Sequence, residues 1–419
     1  MLARSLGFWQ LSFYGVGTIV GAGIYSVLGA AAGEAGSALW LSFLLAGVAA
    51  LLAALSYAEL ASAFPKAGAE YQYLRAAFPR WRLAAFLAGA LIALNAAASA
   101  ATVSLAFGGY LKVFADVAPA ASAVALLLAC TALNIVGIRQ STWVGIGLIT
   151  VEVGGLLLMI GAGLGAGEPS RALAAPAAGT APFGAAALLF FMFIGFEDVA
   201  NLSEEARQPR RDIPRALLLS VVLTSALYLL VCVAVLAVAP PEALARSDSP
   251  LTEAGGRVSP RIGQALAVTA LFATASTALI TLISISRLLY GMAREGDMPR
   301  ALSRLAPGRR TPWLAALALC AAALALLPLG EVKLTASVSS LGVLCVFAGI
   351  HAAVIWLRLR QPRYRPRFRA PGAVRGVPLT AVAGLLMALA FCTRFEPVVY
   401  AVFGVALAAG AVVYALLPR

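Results

Sequence analysis

Hydrophobic positions in this chain gather into long runs joined by short polar connections. Twelve runs are candidates for membrane-spanning helices, at positions 8–32, 38–63, 84–111, 120–137, 142–166, 182–203, 214–239, 262–292, 312–329, 333–358, 377–393 and 397–417. A helix needs roughly 17–25 apolar residues to cross a bilayer, and the third and eighth runs are long enough to cross at a tilt. Two runs contain a break. The first reads Gly17-Thr-Ile-Val-Gly-Ala-Gly-Ile-Tyr25, and the sixth reads Phe190-Phe-Met-Phe-Ile-Gly-Phe-Glu-Asp-Val-Ala-Asn201. Backbone that leaves the helix at membrane depth must line a cavity or be buried in protein, because unpaired N–H and C=O groups in lipid cost several kcal/mol each.

The placing of the breaks suggests an organisation. They fall in spans one and six, so each begins a group of five. An odd number of spans inverts the second copy in the membrane, the arrangement of many secondary transporters. The expectation is an all-α polytopic membrane protein of 12 transmembrane helices in a single domain, residues 1–419. Residues 8–170 form one repeat, 182–360 the inverted second, and 376–417 two additional helices. The loop 240–261, with Pro240, Pro241, Pro250, Gly255, Gly256 and Pro260, should form turns and short surface helices.

Composition agrees: 62% of the 419 residues are hydrophobic and 12% charged, too apolar for a soluble surface. The net charge of +13 raises the possibility of nucleic acid, but its distribution argues against that partner. With the N terminus taken as inside, 23 of the 31 Lys and Arg fall in inside loops or at the termini, and seven fall outside. That is the positive-inside bias, and it puts both termini in the cytoplasm. The cluster Arg358–Arg375 reads as an anchor on anionic headgroups. Heavy use of Ala and Arg points to a GC-rich bacterial genome, and so to the inner membrane.

Little here suits enzymatic chemistry or a cofactor. All five cysteines lie in apolar runs, where they pack as small hydrophobes. His351 is the lone histidine and builds no metal site alone.

The breaks carry the polar chemistry. Around Gly15, Gly17, Gly21 and Gly23 the missing Cβ atoms either expose backbone N–H donors or make a helix-packing face. Donors at a half-helix N terminus suit a carboxylate. Carbonyls near Phe191–Ile194, at a half-helix C terminus, suit an ammonium group. Glu197 and Asp198 follow directly, and an acid at that depth marks a candidate site. The complementary ligand is a zwitterion such as an α-amino acid.

Four stretches resemble the amino acid–polyamine–organocation (APC) permeases, which share the LeuT-type fold. They are residues 17–25; Ser56-Tyr-Ala-Glu-Leu through Glu70-Tyr-Gln-Tyr-Leu74; 190–197 running into Glu204-Glu-Ala-Arg-Gln-Pro209; and Ser286-Arg-Leu-Leu-Tyr-Gly-Met-Ala-Arg-Glu-Gly-Asp-Met-Pro299. The resemblance implies a substrate site on the backbone of Ile19, Gly21, Ala22 and Gly23 and on carbonyls near Phe191 and Ile194, with Phe191 as an aromatic gate. Asn95 matches a pocket-lining position in some members, and reads equally as an interhelical hydrogen-bonding residue. Proton-coupled members often carry a lysine in span five, and Glu152 stands there instead. Glu152 can carry the proton, ligate a cation, or sit neutral and hydrogen-bonded; Glu197 is the second coupling candidate. The implied activity is alternating-access transport of neutral amino acids, with proton symport or exchange. A cationic amino acid or polyamine carrier is the alternative. Glu59 should pair with nearby arginines.

Overall fold

The computed structural model describes residues 4–111, 115–172, 181–247, 249–327 and 332–416. Lys112, Arg419 and positions 328–329 and 417 of the apolar runs lie outside them, as do the side chains of Arg171 and Lys333.

The chain is helical nearly throughout. In order, the helices are α1 (Phe8–Val20), α2 (Gly23–Ala35), α3 (Leu39–Ala63), α4 (Ala69–Ala77), α5 (Arg82–Leu111), α6 (Pro119–Val136), α7 (Ile138–Ala166), α8 (Pro169–Ala172), α9 (Ala181–Phe190), α10 (Asp198–Asn201), α11 (Pro209–Val238), α12 (Pro241–Ala245), α13 (Pro250–Val258), α14 (Pro260–Arg294), α15 (Trp313–Leu326), α16 (Val332–Arg360), α17 (Leu379–Cys392) and α18 (Pro397–Leu416). A two-residue hairpin pairs β1 (Ala373–Val374) with β2 (Val377–Pro378). Among the described residues nine helices are long and apolar enough to cross a bilayer, and α15 and α17 are shorter apolar helices. The protein is a polytopic helical membrane protein.

Both breaks are present in the backbone. Helix α1 stops at Val20, Gly21 takes φ +22°, and α2 starts at Gly23. Helix α9 stops at Phe190 and runs through a 3₁₀ turn, Phe191–Phe193. Ile194 then becomes extended and Gly195 takes φ +124° before α10 begins. The loop after α11 folds into the short helices α12 and α13.

Helix α11 packs along α3 and α1, and α14 packs along α5 and α7, so the broken segments lie inside the bundle. Helix α18 is mostly exposed, as a lipid-facing helix should be. Glycine decides several close approaches. A Cβ on Gly15 would lie 2.3 Å from Ser220 Oγ, and one on Gly17 would lie 2.0 Å from Ile149 Cδ1. These two glycines therefore serve helix packing, while Gly21 serves the break. Glu59 is fully buried and accepts a hydrogen bond from Arg358 Nε at 2.7 Å.

Candidate functional site

A cavity of about 450 Å³ lies where the two breaks meet. Its lining includes Ile19, Gly21, Ala22, Gly23, Asn95, Phe191, Ile194 and Glu197, so those expected residues converge on one space. Glu152 is not among them. It is fully buried on α7, where Oε2 accepts from Ser276 Oγ at 3.0 Å and Oε1 has no hydrogen-bond partner.

Three interactions hold the first break open. Ala22 N–H donates to Thr277 Oγ1 on α14 at 3.0 Å. The Tyr228 hydroxyl on α11 lies 2.6 Å from Ile19 O and 3.0 Å from Val20 O, so carbonyls freed from α1 find a donor. The same hydroxyl lies 3.3 Å from Met192 O in the second break. One buried phenol thus sits against carbonyls from both. Tyr228 is a polar group in the middle of an apolar helix, which was its available sequence signal; its partners some 200 residues away were not readable.

The second break is closed partly from within. Glu197 folds back so that Oε2 accepts from Gly195 N–H at 2.8 Å. Asp198 Oδ1 accepts from Ser284 Oγ at 2.5 Å. Among the described residues neither acid has a lysine or arginine within ion-pair distance, so the cavity wall carries two carboxyls and no fixed cation. Elsewhere the wall is apolar or weakly polar, with Ile92, Ala96, Val103, Ile280, Thr281 and Val343.

The cavity and the protein's N-terminal face are separated by packed polar structure. Helix α5 starts beside Asp297, to which Arg82 pairs at 3.4 Å. The cavity draws on residues 92–103 of the same helix, in its middle and far half. Between them, Ala69 N–H donates to Asn201 Oδ1 at 2.9 Å, and Arg287 pairs with Glu205 at 3.2 Å, both side chains buried. Glu204 pairs with Arg294 at 2.8 Å. Glu295 accepts from Lys66 and Gln72 at 3.3 Å each, and these bonds outweigh burial to hold its carboxyl below the usual range. Leu6 and Ser5 donate to Glu205 O, tying the N terminus to the same layer.

Glu70, on α4 in that layer, is fully buried. Oε1 accepts from the Tyr57 hydroxyl at 3.3 Å, and among the described residues Oε2 has no partner within hydrogen-bond geometry, Asn201 being the nearby amide. Burial pushes its carboxyl up to about 7; Asp198 acts in the same direction, and hydrogen bonds from its own backbone, Tyr57 and Asn201 pull against it.

A membrane bundle with two discontinuous helices meeting at a buried cavity has the architecture of a transporter. Residues 6–416 match the amino acid permease family model, and the chain belongs to that family of transporters. An uncharacterized transporter of Mycobacterium tuberculosis is 36% identical over 425 residues, covering 97% of this chain and 91% of that protein. The branched-chain amino acid permease BcaP of Bacillus subtilis is 30% identical over 446 residues, covering 100% and 94%. The chloroplastic cationic amino acid transporter 9 of Arabidopsis thaliana is 32% identical over 332 residues, covering 73% and 58%.

Proposed function

We propose that the protein is a secondary active transporter of neutral amino acids that works by alternating access, and not an enzyme. One observation carries this reading: both breaks open on the same cavity with opposite helix ends. The N terminus of α2, at Gly23, favours a carboxylate, and the carbonyl end of the Phe191–Phe193 turn favours an ammonium group. Backbone around Ile19, Gly21, Ala22 and Gly23 takes the carboxylate. Carbonyls at Phe191 and Ile194 take the amine, and Phe191 covers the ligand. Asn95 lines the side-chain pocket, whose apolar wall suits an aliphatic side chain. The name of the relative BcaP is in line with that choice.

Twelve spans in a 5+5 inverted repeat with two further helices, within one domain, fit the position of the breaks. The arginine-rich N-terminal face is assigned to the cytoplasm, with both termini there and the protein in a bacterial inner membrane. The cavity then lies on the outer side of a sealed inner layer. Coupling to protons is assigned to Glu152, whose unpartnered Oε1 supports a role beyond packing. Glu197 is already held by Gly195 N–H and is the weaker candidate.

The test is uptake by the full protein in liposomes, with labelled amino acids, with and without sodium and a pH gradient. Absence of uptake and of exchange for every proteinogenic amino acid sinks the transport reading. Glu152→Gln should abolish proton-driven accumulation and leave exchange intact; unchanged gradient-driven uptake removes Glu152 from coupling. A second reading, a cationic amino acid or polyamine carrier, is favoured by the two carboxyls in a wall without a fixed cation. Competition by arginine, lysine or putrescine stronger than by leucine would select it.

A further inference from the structure

The segment joining α16 to α17 begins as a strap packed on one side, in which a turn closed by Tyr364 N–H on Gln361 O at 3.0 Å leads into residues of alternating exposure. Arg363, Arg365, Arg367 and Arg369 are exposed, while Tyr364 and Ala370 are buried and Pro366 and Phe368 are partly buried. The alternation puts one side of the strap against the protein, across a turn at 362–363 and a bend at 367–368. Among the described residues none of the four arginines has an acidic partner within ion-pair distance.

The inward side is tied down at several points. Ala370 N–H donates to Glu59 Oε2 at 2.8 Å, and Arg358 Nη2 donates to Ala370 O at 2.9 Å. Phe368 N–H donates to Ser62 Oγ at 3.1 Å. The Tyr364 ring stacks on Phe64, with centroids 6.1 Å apart. Arg358 belongs to this anchor, since Glu59 holds it, and is not part of the exposed row. A flexible basic loop would need none of these bonds.

The strap lies at the edge of the apolar bundle. Trp356, one turn before the end of α16, is 44% exposed, and Trp81, just before α5, is 69% exposed. Both belong to one aromatic cluster around Phe78, at 5.9 and 6.0 Å. Exposed tryptophans at helix ends mark the headgroup level of a bilayer. The arginine row starts a few residues beyond that level.

We propose that Arg363, Arg365, Arg367 and Arg369 form a binding site for the phosphate groups of anionic phospholipids, kept in register by Glu59 and Ser62. Guanidinium groups give paired, planar donors to phosphate oxygens. Four of them on one tied-down segment present several such forks to adjacent headgroups. Because Glu59 and Ser62 belong to α3, lipid on the strap restrains that helix together with α16.

The test uses the full protein with phosphatidylglycerol as probe and phosphatidylcholine as reference, read by native mass spectrometry. Each guanidinium–phosphate contact is a charge-assisted hydrogen bond, so R365Q/R367Q/R369Q should lose about a hundredfold or more. R207Q/R210Q/R211Q removes the same charge from another exposed segment of the same face, outside the proposed site, and should lose far less. Equal losses in the two variants overturn the site in favour of diffuse attraction. So does equal retention of the two lipids by the unmodified protein. Competition by free glycerol phosphate as effective as by the lipid would assign the row to a soluble anion instead and overturn the proposal. A measurement on unmodified protein guards against misfolding: phosphatidylglycerol should slow amide hydrogen exchange across 361–370. Lipid bound without that protection also overturns it.

Discussion

The two breaks solve the same problem by different means. At the first, side chains from other helices supply what the backbone has lost: Thr277 from α14 and Tyr228 from α11. At the second, the segment supplies its own partner, since Glu197 accepts from Gly195 two residues back. The first break is therefore wired to its surroundings, and a shift of α11 or α14 reaches it directly. The second is closed mostly within its own segment, with further bonds from Ser284 to Asp198 and from Tyr228 to Met192 O, and it bears two acids. Of the two, the first depends more on side chains from other helices, and the second bears the acidic wall.

Gly195→Ala gives the largest expected effect. A Cβ there would lie 2.5 Å from Thr18 O, a backbone atom that cannot swing aside, and φ +124° suits glycine alone. The expected cost is about 3 kcal/mol or more, seen as loss of folded protein and of uptake. Gly21→Ala should be milder, because its nearest obstacle is the Thr277 side chain at 2.7 Å. If the two substitutions cost the same, the second break is not the more rigid.

Acidity separates the breaks next. Glu70 is close enough to Asp198 and Glu197, at the second break, to interact electrostatically with both, whereas the buried acid near the first break, Glu152, interacts with Tyr25 and Tyr228. The folded-state pKa of Glu70, about 7, lies above the ordinary carboxyl value of 4.5. Between those values the folded state binds more protons than the unfolded one, so stability falls as pH rises through that window and levels off above it. Glu70→Gln should thus stabilise the protein by about 3 kcal/mol above pH 7. The gain should vanish below about pH 4.5. Melting curves across that range check the sign; a Gln variant less stable at high pH means the carboxylate has a partner.

How much of this was legible in the sequence follows from range. The runs and both breaks are readable because lipid punishes any local departure from apolar helix, so glycines and acids inside a run stand out. The convergence of Gly21, Asn95 and Phe191 on one cavity rests on tertiary packing, and the family resemblance supplied it where spacing could not. Residues such as Thr277 and Tyr228 were missed because each acts on backbone more than 200 residues away. Gly15 and Gly17 show where the signal is ambiguous: glycine in a span marks a close helix contact as readily as a binding site, and only the neighbours Ser220 and Ile149 distinguish them.

Tyr228 is the point where the breaks share a partner. Tyr228→Phe keeps the ring, which packs edge-on against Phe43 and Phe193, and removes only the hydroxyl. Carbonyls of Ile19 and Val20 then lose their donor, at a cost of about 2 kcal/mol. Uptake should fall more than binding, because the link between α11 and both breaks is gone. Equal losses in the two would reduce Tyr228 to a structural residue.

Thr277 gives the smallest and most selective effect. Its hydroxyl accepts from Ala22 N–H while donating to Ala273 O at 2.9 Å, so it joins the start of α2 to α14. Thr277→Val keeps the shape and removes the acceptor, costing about 1 kcal/mol. Thr277→Ser keeps the hydroxyl and should transport normally. Because Ala22 sits at the end of the cavity assigned to the carboxylate, the Val variant should raise the apparent KM for an amino acid more than for its decarboxylated amine. A Val variant that weakens both alike leaves Thr277 as a brace of the first break and detaches it from carboxylate recognition.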